Sequence, residues 1–158
     1  MNINVICIGK LKEKYWVEAI AEYSKRLSSY CNLNIIELKE VKLPKNASRA
    51  DEEKVIELES EEILSKVSDG DFVIACEVGG KLMSSEELAD CVRAAAFDHS
   101  TIDFLIGGSL GTSASLKRRA NLAFSFGRIT LPHQLARVLL TEQIYRAYKI
   151  INKETYHK

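Results

Sequence analysis

At 158 residues the chain has room for one ordinary domain with a sizeable core, and 46% hydrophobic with 28% charged residues match a soluble globular protein. It contains no run of about 20 apolar residues able to span a bilayer. The four cysteines, Cys7, Cys31, Cys76 and Cys91, lack the spacing of a zinc site and read as free thiols in a reducing compartment.

A net charge of zero hides an asymmetry. Residues 1–103 hold 13 Lys and Arg against 20 Asp and Glu, and residues 104–158 hold 9 against 2. No acid occurs between Asp103 and Glu142, where Lys117, Arg118, Arg119, Arg128 and Arg137 all fall. A polyanion would be drawn to that portion, unless the two portions neutralise each other in the fold or across a dimer.

In chain order, Ile3 to Ile8 is a β-branched run, too short and without the preceding basic region of a signal peptide, so it reads as the first strand of a cytoplasmic protein. Gly9 ends it. Trp16, Ile20, Tyr23 and Leu27 then recur at spacings of three and four and predict a helix over 14–27. Leu33 to Leu38 is a second strand, followed by a loop around Pro44. Ser48 with Asp51 has the spacing of a capping box and opens a long acidic helix carrying Val55, Leu58, Ile63 and Val67. Phe72 to Val78 is a continuous apolar run suited to a strand covered on both faces, ended by Gly79 and Gly80. Ser84 with Glu87 caps a third helix, "TIDFLI" is a fourth strand, and a glycine loop leads into a short helix through "SLKRRA". "LAFSF" is a fifth strand, "GRITLPHQ" a loop, "LARVLLTEQIYRAYKI" the last helix and "NKETYHK" the tail. Alternating strands and helices predict one α/β domain over 1–158, with an open, mostly parallel sheet flanked by helices.

In the last helix Leu135, Val138, Leu139, Leu140, Ile144, Tyr145, Tyr148 and Ile151 fall almost all the way round the axis. A helix of that kind is buried on more than one side, which predicts a homodimer. Glu142, Arg146 and Lys149 share one polar stripe, Arg137 and Thr141 another. Glu142 with Arg146 is either an ordinary i,i+4 ion pair or part of a site.

The loop "GGSLG" invites three readings. As a dinucleotide loop it has the wrong glycine spacing, follows the fourth strand rather than the first, and lacks an acid about twenty residues on, where Gly127 stands. A P-loop needs Gly-Lys followed by Ser or Thr, and no such run occurs at Gly111, which is followed directly by Thr112. As a nucleophile elbow around Ser109 it lacks both the G-x-S-x-G spacing and a triad acid before His133.

A further reading rests on a resemblance. "FLIGGSLG", "FSFGRITLPHQLARVLLTEQIYRAYKI" and the terminal "YHK" resemble the ribosomal RNA large-subunit methyltransferase H family, the 23S rRNA pseudouridine N3-methyltransferases of the SPOUT superfamily. The likeness starts at "ICIGKLKEKYW" and extends over essentially the whole chain. It implies a C-terminal trefoil knot, contrary to the usual unknotted topology, and a homodimer. It also implies S-adenosylmethionine as methyl donor with no metal, and 23S rRNA within the assembled 70S ribosome as acceptor, with neither DNA nor a membrane as partner. Carried onto this sequence, the donor's contacts fall at Cys76, at Gly107 and at Phe126, Gly127, Arg128, Ile129, Thr130 and Leu131.

Methylating N3 of a uracil-like base calls for a general base and for positive charge that stabilises the developing anion. His133 and His157 are the candidate bases, with Glu142 a third or an orienter of Arg146. Arg137 and Arg146 are candidates to hold the base or a phosphate, and Tyr156 to stack on the base. Lys117, Arg118 and Arg119 either contact RNA phosphates or form a solvated helix face. A ribosome-binding module without catalysis would share these features and is separated by whether the protein takes up S-adenosylmethionine.

Overall fold

The computed structural model describes residues 1–156. Five strands, β1 (Asn2–Ile8), β2 (Asn32–Leu38), β3 (Phe72–Leu82), β4 (Thr101–Ile106) and β5 (Leu122–Ser125), form one sheet in the order β2-β1-β4-β3-β5. Every pairing is parallel. The connections carry helices α1 (Lys14–Leu27), α2 (Arg49–Leu64), α3 (Ser85–Asp98) and α4 (Ala114–Arg119), and α5 (His133–Ile151) follows β5. Among the described residues no helix is long and apolar enough to cross a membrane.

The two faces of the sheet explain the continuous apolar runs. Ile3, Val5, Cys7, Ile74, Ile102 and Phe104 point to one side, where they pack with Leu27, Leu88, Val92, Leu140 and Ile144 from α1, α3 and α5. Ile6, Ile8, Val73, Ala75 and Leu105 point to the other, against Ile63 of α2 and Leu116 of α4. With both faces covered, alternate residues need not be polar. Both predicted capping boxes form: Ser48 accepts from the Asp51 amide at 3.2 Å and Ser84 from the Glu87 amide at 3.2 Å, with the acidic side chains bonded back to the cap amides.

Three expectations change. β3 runs on to Leu82 instead of stopping at Gly79. The glycines occupy a register shift between Cys76 and Lys81 where β3 pairs with β5, and a Cβ at Gly80 would stand 2.7 Å from the carbonyl carbon of Phe124. This is the close backbone approach that an interior strand glycine permits. The second change concerns α5, which begins at His133 directly after Pro132, and no side chain caps it. Thirdly, its apolar girth is largely absorbed within the chain, because α5 lies over the sheet between α1 and α3.

One group in the sheet is out of keeping with its surroundings. Asp103 on β4 is fully buried; Asn4 donates to its Oδ1 at 2.7 Å, while Oδ2 has no hydrogen-bond partner among the described residues. Burial pushes its carboxyl up to about 6, with Asn4 and Arg119 opposing the shift and the neighbouring Asp71 adding to it. A carboxyl raised above its unfolded value contributes stability below that value and loses the contribution as pH rises through the folded one. Asp103→Asn is therefore expected to match wild type near pH 4 and to exceed it by roughly 1–3 kcal/mol above pH 7. Urea unfolding across that range reads the difference, and parallel curves would assign Asp103 no such role.

Candidate active site

β4 and β5 end, and β3 bulges, along one edge of the sheet, which is where parallel α/β sheets place their ligands. A cavity of about 720 Å³ opens there. Its walls are residues 76–79 of β3, the glycine loop after β4, and the segment from Ser125 to His133 that leads into α5. Of the residues expected to contact a methyl donor, Cys76, Gly107, Phe126, Gly127, Ile129, Thr130 and Leu131 line this cavity. Arg128 is exposed and does not line it. His133, the first residue of α5, completes the wall.

Local chemistry shapes each wall. Gly127 adopts φ +140°, a conformation that L side chains rarely accept, so a glycine here is a backbone requirement. The Ser125 hydroxyl lies 3.0 Å from the carbonyls of both Val78 and Gly127 and accepts from the Gly127 amide at 3.2 Å, tying the post-β5 loop to β3. Burial, with the charge of Glu77 beside it, pushes the Cys76 thiol up to about 12, so it is a neutral group in the wall and not a nucleophile.

Sequence reasoning missed two arrangements here, the pairing of Lys117 with Glu77 and the support of the glycine loop by Glu59 and Ser60. Glu77, Thr112 and Lys117 line the cavity together, with Thr112 hydrogen-bonded to Glu77 and the Lys117 ammonium 3.5 Å from the same carboxylate. Behind the glycine loop, Glu59 of α2 is only 4% exposed. It accepts from the Val41 amide at 2.9 Å and packs so closely on Gly108 that an added Cβ would run into its carboxylate. Burial raises its pKa, the Val41 amide opposes the shift, Glu40 adds to it, and the nearby His133 opposes it. The next residue, Ser60, accepts from the Ser113 amide at 2.9 Å. Glu59 and Ser60 thus support the glycine loop from beneath.

The three residues of the basic triplet meet different surroundings. Lys117 belongs to the cavity, and Arg118 is exposed. Arg119 turns back to the start of β3, where it donates to the carbonyls of Ser68 and Asp71 at 2.8 and 3.0 Å. Arg137, expected at the substrate, is 1% exposed and also committed elsewhere. Its guanidinium meets Glu37 at 2.6 Å and donates to the carbonyls of Gly9 and Ile8 at 3.0 and 3.3 Å.

Glu142, Arg146 and Tyr156 do come together, on the outer length of α5. Glu142 Oε1 accepts from Arg146 at 2.5 and 3.0 Å and from the Tyr156 hydroxyl at 3.2 Å. The Arg146 guanidinium stands 4.8 Å from the centre of the Tyr156 ring, and Tyr145 meets that ring edge-on at 4.9 Å. Burial, with the Glu142 charge next in weight, pushes the Tyr156 hydroxyl up to about 12, so it stays a neutral donor. His157, the other candidate base, lies outside the described residues.

Comparison with known proteins points the same way as this geometry. A probable methylase family protein from Haemophilus influenzae Rd KW20 superimposes with a TM-score of 0.56 over 99% of this chain and 70% of its own, at 13% identity, a likeness of fold. Proteins named ribosomal RNA large subunit methyltransferase H are 50% identical in Oenococcus oeni and 49% identical in Lactobacillus acidophilus, each over 100% of this chain and at least 99% of their own length. A Streptococcus pneumoniae protein of the same name is 50% identical over the full length of both chains. Residues 1–157 match the family described as predicted SPOUT methyltransferases. With identity of this extent spread over the whole chain, the protein belongs to the ribosomal RNA large subunit methyltransferase H family of SPOUT methyltransferases.

Proposed function

We propose that this protein transfers the methyl group of S-adenosylmethionine to N3 of a pseudouridine in 23S rRNA, acting as a homodimer on the assembled 70S ribosome. The observation that carries the reading is the cavity at the strand ends. Its volume suits a nucleoside-sized ligand. Backbone groups of three loops are available to an adenine edge, and the apolar side chains of Ile129 and Val78 are left 72% and 59% exposed where a flat ring would cover them. Cys76, Gly107 and Phe126 to Leu131, apart from Arg128, would hold the nucleoside. The same reading has the C-terminal segment threaded as a trefoil knot around that site.

S-adenosylmethionine supplies an electrophilic methyl group when bound. The chain must remove the imide proton at N3 and stabilise the charge that develops as the nitrogen attacks. His133, on the cavity wall, is the base within reach of a ligand there. Arg146, held by Glu142, offers fixed positive charge, and Tyr156 offers a neutral ring for stacking. Glu142 stands nine residues along α5 from His133, about 13 Å at the rise of an α-helix. Among the described residues, neither Glu142 nor Arg146 lines the cavity. A second copy that lays its own Glu142, Arg146 and tail against the cavity would complete the set, and this supports the homodimer.

Methyl transfer from labelled S-adenosylmethionine, offered 70S ribosomes and separated 50S and 30S subunits, tests the proposal. Label is expected in 70S ribosomes at one pseudouridine of 23S rRNA. Equal labelling of naked rRNA, or none anywhere by a protein that binds the donor, would overturn it.

A further inference from the structure

The cavity contains one feature that a nucleoside pocket of glycines and apolar side chains does not require. Glu77 places its carboxylate in the wall with a side chain 17% exposed, and Thr112 holds one of its oxygens. Lys117 reaches the other oxygen at 3.5 Å from a side chain 55% exposed. An ion pair that open to water contributes little to stability, so the fold has small need of it. Its lysine is free to reorganise, whereas the carboxylate is anchored.

Such a pair offers a negative and a positive group a few ångströms apart, the complement of an α-amino acid zwitterion. Taking the cavity as the methyl-donor pocket proposed above, we infer that Glu77 and Lys117 bind the amino-acid end of the donor. Glu77 accepts from its α-ammonium and Lys117 donates to its α-carboxylate. Thr112 is a positioning residue, since its hydroxyl fixes the rotation of the carboxylate. The inference also accounts for a lysine at 117 on a face where Arg118 is open to solvent and Arg119 is bound to the start of β3. Charge-assisted hydrogen bonds inside a pocket are stronger than neutral ones, and each is lost when its partner is neutralised.

Isothermal titration of the full chain with two nucleosides tests this without turnover. S-adenosylhomocysteine carries the amino-acid end; 5′-methylthioadenosine has the same adenosine and a methylthio group without it. Wild type is expected to prefer S-adenosylhomocysteine by about tenfold or more. Glu77→Gln, which keeps the shape and the Thr112 contact, and Lys117→Met, at a half-exposed site, should each weaken S-adenosylhomocysteine by about five- to tenfold and leave methylthioadenosine within about twofold. A preference that survives both substitutions, or an equal loss for both nucleosides, would overturn the assignment while leaving the pocket in place. Failure of wild type to bind either nucleoside would instead remove the pocket reading, and this assignment with it.

Discussion

Replacing Arg137 by Ala is expected to destabilise the protein by about 3–5 kcal/mol, the range for breaking a buried ion pair from one side. The side chain is 1% exposed and spans three elements, from α5 to the ends of β1 and β2. Truncation would leave Glu37 without its cation and the carbonyls of Ile8 and Gly9 without this donor, besides opening a cavity in the place of the largest fully buried side chain. Glu37 also accepts from the Leu11 amide at 3.0 Å, so the β1–α1 loop would loosen with it. In a chain of this size the loss corresponds to a fall of roughly 10 °C in Tm. Arg137→Lys keeps the charge but not the fork that reaches Glu37 and two carbonyls at once, and about half the loss should remain. Arg137→Met combined with Glu37→Leu should recover part of it, because no buried charge is then left alone. A variant with wild-type Tm and weakened substrate binding would return Arg137 to the substrate site.

Arg137 also illustrates what could be read in advance. Its position with Thr141 on one stripe of α5 was visible, and the same stripe carries Leu140 and Ile144, both fully buried. A charged residue on a core-facing stripe is as easily a buried clamp as a catalytic group, and only the neighbours from β1 and β2 decide. Glu59 carried a similar signal. It lies four residues after Val55 and four before Ile63, on the buried stripe of a helix whose other acids face water, yet in a run of glutamates it looks like one more solvated charge. The elements that depend on local rules were legible: both capping boxes, whose partners are three residues apart, and the covered strands, whose apolar runs need no alternation. The glycine pair at 79–80 was misread because turn and bulge share a composition, and the strand that distinguishes them, β5, lies more than forty residues downstream. Glu77 and Lys117 stayed hidden for the same reason, being joined only by the close approach of the glycine loop and α4 to β3. Most of the residues that line the cavity were legible through the family likeness, not through spacing.

Removing Tyr156, His157 and Lys158 is expected to lower methyl transfer at least a hundredfold while S-adenosylmethionine affinity stays within about twofold. Tyr156 joins the tail to the middle of α5, where its hydroxyl bonds Glu142 and its ring lies under the Arg146 guanidinium, while Glu154 holds the tail to Lys149 near the helix end. Without Tyr156, Arg146 loses a cation–π contact of about 0.5–2 kcal/mol and a neighbour that restricts its motion, whereas the cavity walls at β3, β4 and β5 are untouched. Tyr156→Phe keeps the ring and should retain most of the activity. Mixing experiments then decide which copy the tail serves. If it acts across a homodimer, the truncated protein and a His133→Ala protein, each inactive alone, form heterodimers in which one site has both an intact His133 and an intact tail. Statistical mixing makes half the dimers of this kind, each with one working site of two, so about a quarter of wild-type activity should return. A tail that served its own copy would leave every site in such a mixture defective, and no activity would come back however long the subunits were allowed to exchange.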